Sequence, residues 1–201
     1  MSEYPPSEIE TVLQLAFGRS APMTAIPLPV GSASHTLAFA LDDSALPPRV
    51  VLRRYPPLHQ SLGFAAFTAQ QALRAMNFCV PDVYYLGWSY HTRFLLVLSE
   101  FAEGRGVEGQ PHPFFARVGI DFAQMLARLH AIRWSEMPDL PVKPRGFLLE
   151  SLAAEVESLG NPELLGILDW LERNAASAPE QPHTVTHGDY TLHSVLAEGT
   201  R

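Results

Sequence analysis

The segment HGDYTLHSVL, residues 187–196, is the most informative stretch of the 201-residue chain. Gly188 lets the backbone come close to its surroundings, so the turn holds the carboxylate of Asp189 rigidly in front of an apolar strand. That carboxylate could accept a proton from a substrate hydroxyl. An ordinary turn, in which Asp189 hydrogen-bonds only its own backbone, accounts for the same residues. A third interpretation takes His187, Asp189 and His193 as metal ligands, although their spacing fits no helix face.

Upstream of this segment, the apolar pattern changes from strands to helices near residues 102–110. The first part predicts a helix at 7–17, strands at 26–30, 36–41 and 49–54, a helix at 64–76, and two strands within 79–88 and 93–101. The second part predicts helices at 114–132, 148–159 and 162–174. We therefore expect an α+β fold with an antiparallel sheet, divided into an amino-terminal lobe (1–103) and a mainly helical lobe (104–201).

Composition and charge exclude several classes of protein. The net charge is −7, and the 14 basic residues, of which Lys143 is the single lysine, are scattered without a basic run. A nucleic-acid partner is therefore not expected. No apolar run approaches the roughly 20 residues that a membrane-spanning helix needs, and the start MSEYPPSEIE has no secretory pattern. A single cysteine, Cys79, rules out an internal disulfide framework, so a cytoplasmic setting is expected.

Seven short motifs occur in an order that resembles the aminoglycoside phosphotransferase and choline kinase family, a branch of the protein-kinase-like fold. They are GSASHT, VVLRRYPP, QALRAM, VPDVYYLGW, LSEFAEG, LARLHAI and HGDYTLHSVL. The resemblance covers essentially the whole chain. It implies transfer of the γ-phosphate of ATP (or GTP), with Mg²⁺, to a hydroxyl of a small molecule. A small antiparallel sheet lobe would be followed by an incomplete helical lobe.

The resemblance also implies a role for individual residues. The turn residues Gly31, Ser32 and Ser34 would cover the triphosphate, and the cation of Arg53 would bind phosphate oxygens. The carbonyl of Glu100 and the amide of Ala102 would pair with the adenine. Asp189 would be the catalytic base and Ser194 a metal ligand. His130 and His187 would have structural roles, with His130 buried beneath the catalytic turn. The list of residues drawn from the resemblance is Gly31, Ser32, Ser34, Arg53, Glu100, Ala102, His130, His187, Asp189 and Ser194.

Alternatives stay open for several of these residues. The GSASH turn is also compatible with an ordinary hairpin, and LSEFAEG with an edge strand leaving a sheet. Arg54 points to the face opposite Arg53 and is expected in solvent.

The chain departs from the family pattern at three places. Its second helix has Ala69, Gln70 and Gln71 where a glutamate usually pairs with the strand cation. Ser194 replaces an asparagine metal ligand, and the sequence reaches Arg201 before the family's metal-binding aspartate. Impaired catalysis is therefore expected, and a non-catalytic nucleotide-binding or interaction module is the alternative function.

Overall fold

The computed structural model describes residues 6–28, 35–106, 112–142, 145–179, 184–186 and 196–197. These ranges contain most of the predicted sheet and the predicted helices. The GSAS turn at 31–34 and most of the HGDYTLHSVL segment lie outside them.

The amino-terminal part folds as a helix followed by a five-stranded sheet. Helix α1 (Pro6–Phe17) closely matches the predicted helix. The strands are β1 (Met23–Ile26), β2 (His35–Leu41), β3 (Arg49–Tyr55), β4 (Val83–Trp88) and β5 (Leu95–Glu100). Their order across the sheet is β1-β2-β3-β5-β4, and all neighbouring pairs are antiparallel. The predicted α+β fold with a small antiparallel sheet is confirmed.

The position of the first strand differs from the sequence prediction. β1 pairs with β2 from Met23↔Leu41 to Ile26↔Ala38, so it ends where the predicted strand at 26–30 begins. Pro27 follows directly, and a proline has no N–H to donate to a neighbouring strand. The predicted strand is therefore wrong in position, because an apolar run that contains prolines cannot sustain the ladder.

Alternation along the strands gives the sheet two different faces. On the α1 face, Leu13 of α1 packs against Leu52 and Leu98 in a cluster that also contains further buried residues of α1, β2, β3 and β5. On the opposite face, which we call the α2 face, Tyr55, Leu95 and Val97 form a smaller buried cluster. Fully burying one such aliphatic side chain contributes about 1.5–3 kcal/mol. Of the two faces of the sheet, the α1 face therefore contributes more apolar stabilisation among the described residues.

Helix α2 (Gln60–Ala75) lies on the α2 face and comes unusually close to it at Gly63. A Cβ added at Gly63 would lie 2.7 Å from Cδ2 of Leu95 and 2.8 Å from Cδ2 of Tyr55. Phe67, one turn further along α2, packs against the same cluster. The helix starts four residues before the predicted Phe64, because a short 3₁₀ turn at Pro57–His59 leads directly into it.

The remaining helices are α3 (His112–His130), α4 (Arg145–Leu159) and α5 (Pro162–Ala175). Asn161 fixes the start of α5, since its side chain accepts a hydrogen bond from the Glu163 N–H at 2.9 Å and Pro162 occupies the first turn. The chain divides into two compact units, Met1–Leu129 with Thr186–Arg201, and His130–Val185. The boundary predicted after residue 103 stays a prediction.

A two-stranded sheet is formed by β6 (Arg105–Gly106) and β7 (Leu196–Ala197). β7 overlaps the end of the HGDYTLHSVL segment, so this pairing joins that segment to the residues just after β5. Within the ranges that the structure describes, none of the helices has the length and apolar character needed to cross a membrane.

Candidate functional site

Arg53 lies near the centre of the sheet, on the face that α2 covers. β3 has a neighbour on each side, and Arg53 pairs with Thr36 of β2 and with Val97 of β5. Val97 belongs to the buried cluster of the α2 face, so the alternation places the Arg53 side chain on that face as well. The side chain is half-buried. A cation is thus held in a fixed position beside α2, with its strand supported on both sides.

The part of α2 that faces this region offers amides rather than carboxylates. Gln70 follows Phe67 by three residues, which places it on the same side of the helix, and it is half-buried. Gln71 is exposed. Among the described residues, Arg53 forms no ion pair. The absence of a carboxylate noted in the sequence therefore leaves the Arg53 cation uncompensated within the described part of the chain.

Arg54 is not in solvent, and the prediction for it is wrong. Its side chain is only 12% exposed, and its Nε lies 3.5 Å from Oε2 of the buried Glu8 in α1. Its guanidinium also lies 4.6 Å from the centre of the Phe94 ring. The hydroxyl of Ser89 donates a short hydrogen bond to the other oxygen of Glu8. The α1 helix covers this face of β3, which is why the strand pattern alone did not predict burial.

The end of β5 has an unusual pattern of hydrogen bonds at Glu100. The Phe101 N–H donates to the Arg49 carbonyl. Because bonded and non-bonded residue pairs alternate along an antiparallel ladder, the next pair, Val50↔Glu100, is not hydrogen-bonded, and the N–H and C=O of Glu100 point away from β3. Glu100 therefore turns these groups toward Asp82, just before β4. Its N–H donates to the Asp82 carbonyl at 2.8 Å, but the Asp82 N–H donates at 3.1 Å to the side-chain Oε2 of Glu100.

The chain beyond Glu100 is attached to β3 through its odd-numbered residues. Arg49 of β3 accepts from Phe101, stacks over the Phe101 ring at 5.0 Å and forms an ion pair with Glu103. Continued for one residue past the Phe101–Arg49 bond, the same alternation predicts that the N–H of Ala102 points to the side opposite β3, as the carbonyl of Glu100 does. Ala102 N–H forms no hydrogen bond with the described residues. The Glu100 carbonyl and the Ala102 N–H are thus predicted to offer one acceptor and one donor on the same edge of the chain.

Two residues near this segment were not singled out in the sequence. Ser99 is 3% exposed and faces the same side as Arg53, since it pairs with Val51. Its only sequence signal is a polar residue inside the apolar run LLVLSE. Asp82 forms an ion pair with Arg74 at the end of α2, at 2.6 Å, and its backbone holds Glu100. It follows Pro81, a position typical of a turn before a strand.

The phenol of Tyr84 lies in the electrostatic field of this segment. Burial raises its pKa above the usual range, and the carboxylates of Glu100 and Asp82 raise it further, whereas the Arg74 cation lowers it. Its ring packs against Phe17 of α1, with 5.1 Å between ring centres. Tyr84 thus connects the chain around Glu100 with the α1 face of the sheet.

His130 ends α3, two residues before the predicted end at 132, and its side chain is exposed rather than buried as predicted. The buried residue at this point is its neighbour Leu129, which is 6% exposed. The backbone carbonyl of His130 accepts a hydrogen bond from the Thr184 hydroxyl, and Arg133 forms a bridge with Thr184. His130 therefore fixes the chain near residue 184 through its backbone, and its role at a catalytic site stays a prediction.

Several predicted site residues lie outside the described residues. They are Gly31, Ser32, Ser34, His187, Asp189, His193 and Ser194. Within the described part of the chain, no group of three or more His, Cys, Asp or Glu side chains is arranged to hold a metal ion. The structure thus places Arg53 and Glu100 on neighbouring strands of one sheet, with Ala102 two residues beyond the end of β5, and the roles of all predicted site residues stay predictions.

Three solved phosphotransferase structures are similar to this chain. The structure of an aminoglycoside-3'-phosphotransferase of type VIII is 18% identical, with a TM-score of 0.66 over 94% of this chain and 71% of that chain. Spectinomycin phosphotransferase APH(9)-Ia, in complex with ADP and spectinomycin, is 11% identical, with a TM-score of 0.57 over 99% of this chain and 67% of that chain. APH(2")-IIia, in its GDP and kanamycin complex, is 18% identical, with a TM-score of 0.56 over 83% of this chain and 57% of that chain.

At such identities these likenesses show the fold, and they confirm the predicted protein-kinase-like architecture. No curated protein matches the chain. The model of the phosphotransferase enzyme family, in contrast, matches residues 25–201, which include every motif on which the predicted resemblance rests. The chain belongs to the phosphotransferase enzyme family.

Proposed function

We propose that the chain is the nucleotide-binding part of a phosphotransferase that moves the γ-phosphate of ATP (or GTP) to a hydroxyl of a small molecule. The observation that carries this proposal is the segment after β5. There the Glu100 carbonyl and the Ala102 N–H point to one edge, in a sheet that also carries the half-buried cation of Arg53. Family membership supplies the reaction class.

The described residues suit both the purine base and the phosphates of a nucleotide. A purine offers a donor and an acceptor on one edge, which an extended backbone can pair with through one carbonyl and one N–H. The Arg53 guanidinium can bind phosphate oxygens through two parallel hydrogen bonds, and its charge is not already used by an ion pair with a described carboxylate. The solved relatives APH(9)-Ia and APH(2")-IIia are complexes with ADP and GDP, respectively. Those complexes support nucleotide binding by this chain as well.

The chemical step is assigned to residues outside the described ranges. Asp189 would accept the proton of the acceptor hydroxyl, and the turn at Gly31, Ser32 and Ser34 would cover the phosphates. Ser194 would be a ligand of Mg²⁺, which when bound neutralises charge on the phosphates. His187 would support the loop that holds Asp189. We also propose that the protein acts in the cytoplasm.

A second function is favoured by one observation. Since α2 places Gln70 and Gln71 where the family pattern has a glutamate, the Arg53 cation lacks the charge partner expected of an active kinase. A non-catalytic module that binds a nucleotide, or that interacts with another protein, would tolerate this loss. Turnover separates the two functions, because a module that only binds nucleotide does not consume it.

The first test is a thermal-shift titration with ATP and with GTP, each with and without Mg²⁺. A ligand that binds only the folded state adds to the free energy of unfolding and so raises the melting temperature. At a ligand concentration one hundred times the dissociation constant, the added free energy is about 2.7 kcal/mol. We expect a magnesium-dependent rise. A folded sample whose melting temperature responds to neither nucleotide would contradict the phosphotransferase and the nucleotide-binding module, and would leave only a module that interacts with another protein.

The second test uses Asp189→Ala, which removes the proposed base and leaves the nucleotide contacts in place. We expect loss of phosphoryl transfer to any acceptor that the unmodified chain phosphorylates, with an unchanged nucleotide dissociation constant. Aminoglycosides such as kanamycin and spectinomycin are the first acceptors to screen, since two of the solved relatives were crystallised with them. Turnover that survives in Asp189→Ala would remove Asp189 from its catalytic role.

A further inference from the structure

The side chain of Glu100 occupies the hydrogen-bonding position that its own backbone carbonyl would fill in a regular sheet. In a regular antiparallel pair, Asp82 and Glu100 would exchange two bonds, each N–H donating to the other carbonyl. The first of these bonds is present, from the Glu100 N–H to the Asp82 carbonyl at 2.8 Å. In the second, the Asp82 N–H donates to Oε2 of Glu100 at 3.1 Å instead.

This substitution leaves the Glu100 carbonyl available. It points away from β3, because Phe101 rather than Glu100 bonds to Arg49. The Asp82 N–H, which is the donor that would otherwise bind it, is already satisfied by the carboxylate. Within the described part of the chain, no other backbone donor reaches this oxygen. A backbone carbonyl that is left without a partner costs free energy unless a ligand or water binds it.

We infer that Glu100 is a positioning residue, which keeps its own carbonyl open as the acceptor for the exocyclic amine of adenine and thereby selects ATP over GTP. This rests on the proposed function, since it assigns the base-recognition edge of the same site. Adenine has an amino group at carbon 6 and an acceptor nitrogen beside it, which match the Glu100 carbonyl and the Ala102 N–H. Guanine has an oxygen and an N–H at those two positions, so it would set acceptor against acceptor and donor against donor.

The reach of the side chain, not its charge, is what this role requires. Glutamine has the same length as glutamate, and its amide oxygen can accept from the Asp82 N–H. Aspartate keeps the charge but is shorter by one methylene. In Glu100→Ala the Asp82 N–H is expected to bond to the backbone carbonyl of residue 100 and complete the regular ladder. That exchange preserves the strand pairing, but it turns one of the two lone pairs of the carbonyl toward Asp82 and so weakens the carbonyl as an acceptor for the base.

The test measures dissociation constants for ATP, for GTP and for purine riboside triphosphate, which lacks the amino group at carbon 6. With the unsubstituted chain we expect ATP to bind at least about tenfold more tightly than either analogue, as one lost hydrogen bond in a polar site commonly gives. In Glu100→Ala and Glu100→Asp the preference over the deaminated analogue should fall to less than about threefold, because the carbonyl is then shared with the Asp82 N–H. In Glu100→Gln the preference should return, which separates reach from charge.

Hydrogen exchange at the Asp82 amide supplies a readout that does not depend on ligand. We expect this N–H to stay protected in Glu100→Ala, because its acceptor changes from the carboxylate to the carbonyl. Loss of its protection would overturn the inference, as would an unchanged preference for ATP in Glu100→Ala. If the folded, unsubstituted chain bound none of the three nucleotides, the proposed function would fail together with this inference. Binding of ATP with an unaffected preference would overturn only the role of Glu100.

Discussion

Breaking the buried ion pair between Glu8 and Arg54 should be among the most destabilising single changes in the sheet. The two side chains are 5% and 12% exposed, and their closest charged atoms are 3.5 Å apart. At an effective dielectric constant of about 20, two unit charges at that separation attract each other by ~5 kcal/mol. Removing one partner leaves the other charge buried, which costs about 3–5 kcal/mol. Glu8→Gln removes the charge while keeping an oxygen that can accept from Ser89, so we expect a loss near 3 kcal/mol.

The matched control is the pair Arg19–Asp43, whose charged atoms are 3.6 Å apart but whose side chains are 56% and 25% exposed. Because solvent screens this pair, Arg19→Gln should cost no more than about 1 kcal/mol. Both free energies of unfolding can be measured by urea denaturation of the same preparation. A double-mutant cycle with Glu8→Gln and Arg54→Met should recover part of the single-variant loss, since it removes both buried charges.

Two results would refute this reasoning. If Glu8→Gln and Arg19→Gln lowered the free energy of unfolding equally, burial would not be strengthening the Glu8–Arg54 attraction. If the double variant lost the sum of both single losses, the two side chains would be acting independently. A loss of about 3 kcal/mol is a large share of the 5–15 kcal/mol that folded domains typically have, so the effect is well above measurement error.

Three further predictions concern the α2 face and its surroundings. Gly63→Ala should be about 1–3 kcal/mol less stable than Gly166→Ala in urea unfolding, because both gain helix propensity but only the Gly63 Cβ meets neighbours below 3 Å; equal stabilities would contradict this. Arg53→Ala should weaken ATP binding by about tenfold or more in calorimetry, and unchanged affinity would mean that Arg53 does not touch the phosphates. The free energy of unfolding should fall as the pH rises above about 10, because the phenol of Tyr84 ionises at a lower pH in the unfolded chain than in the folded one. Urea unfolding at several pH values should show a smaller fall in Tyr84→Phe, and an equal fall would contradict this.

Local patterns predicted much of the sheet and its two faces. Alternation along β3 was enough to place Arg53 and Arg54 on opposite sides, because consecutive residues of a strand always point to opposite faces. Helical spacing also predicted α3 at 114–132, which is within two residues of its observed bounds at both ends. The first strand was misplaced because its apolar run includes Pro27 and Pro29, which lack the N–H groups that a ladder needs.

The contacts that matter most at the candidate site are not local in sequence, and they could not be predicted. Glu8 and Arg54 are brought together only when α1 packs on the sheet, and a charged residue in an amphipathic helix is normally expected in water. The exchange of acceptors at Glu100 depends on the register between β5 and the residue before β4. Sequence identifies Glu100 through its motif, but the register decides which of its oxygens is used.

The unequal faces of the five-stranded sheet have a consequence for how such a chain can change during evolution. Among the residues that the structure describes, eleven buried residues form the cluster on the α1 face and three form the cluster beneath α2. Substitutions around Arg53 and Ser99 therefore disturb a small part of the apolar interior. The larger cluster on the α1 face keeps the free energy of unfolding positive when such substitutions lower it. Residues on the α2 face can therefore change while the buried cluster on the α1 face keeps the sheet folded. Such a separation would allow one scaffold to acquire new substrates.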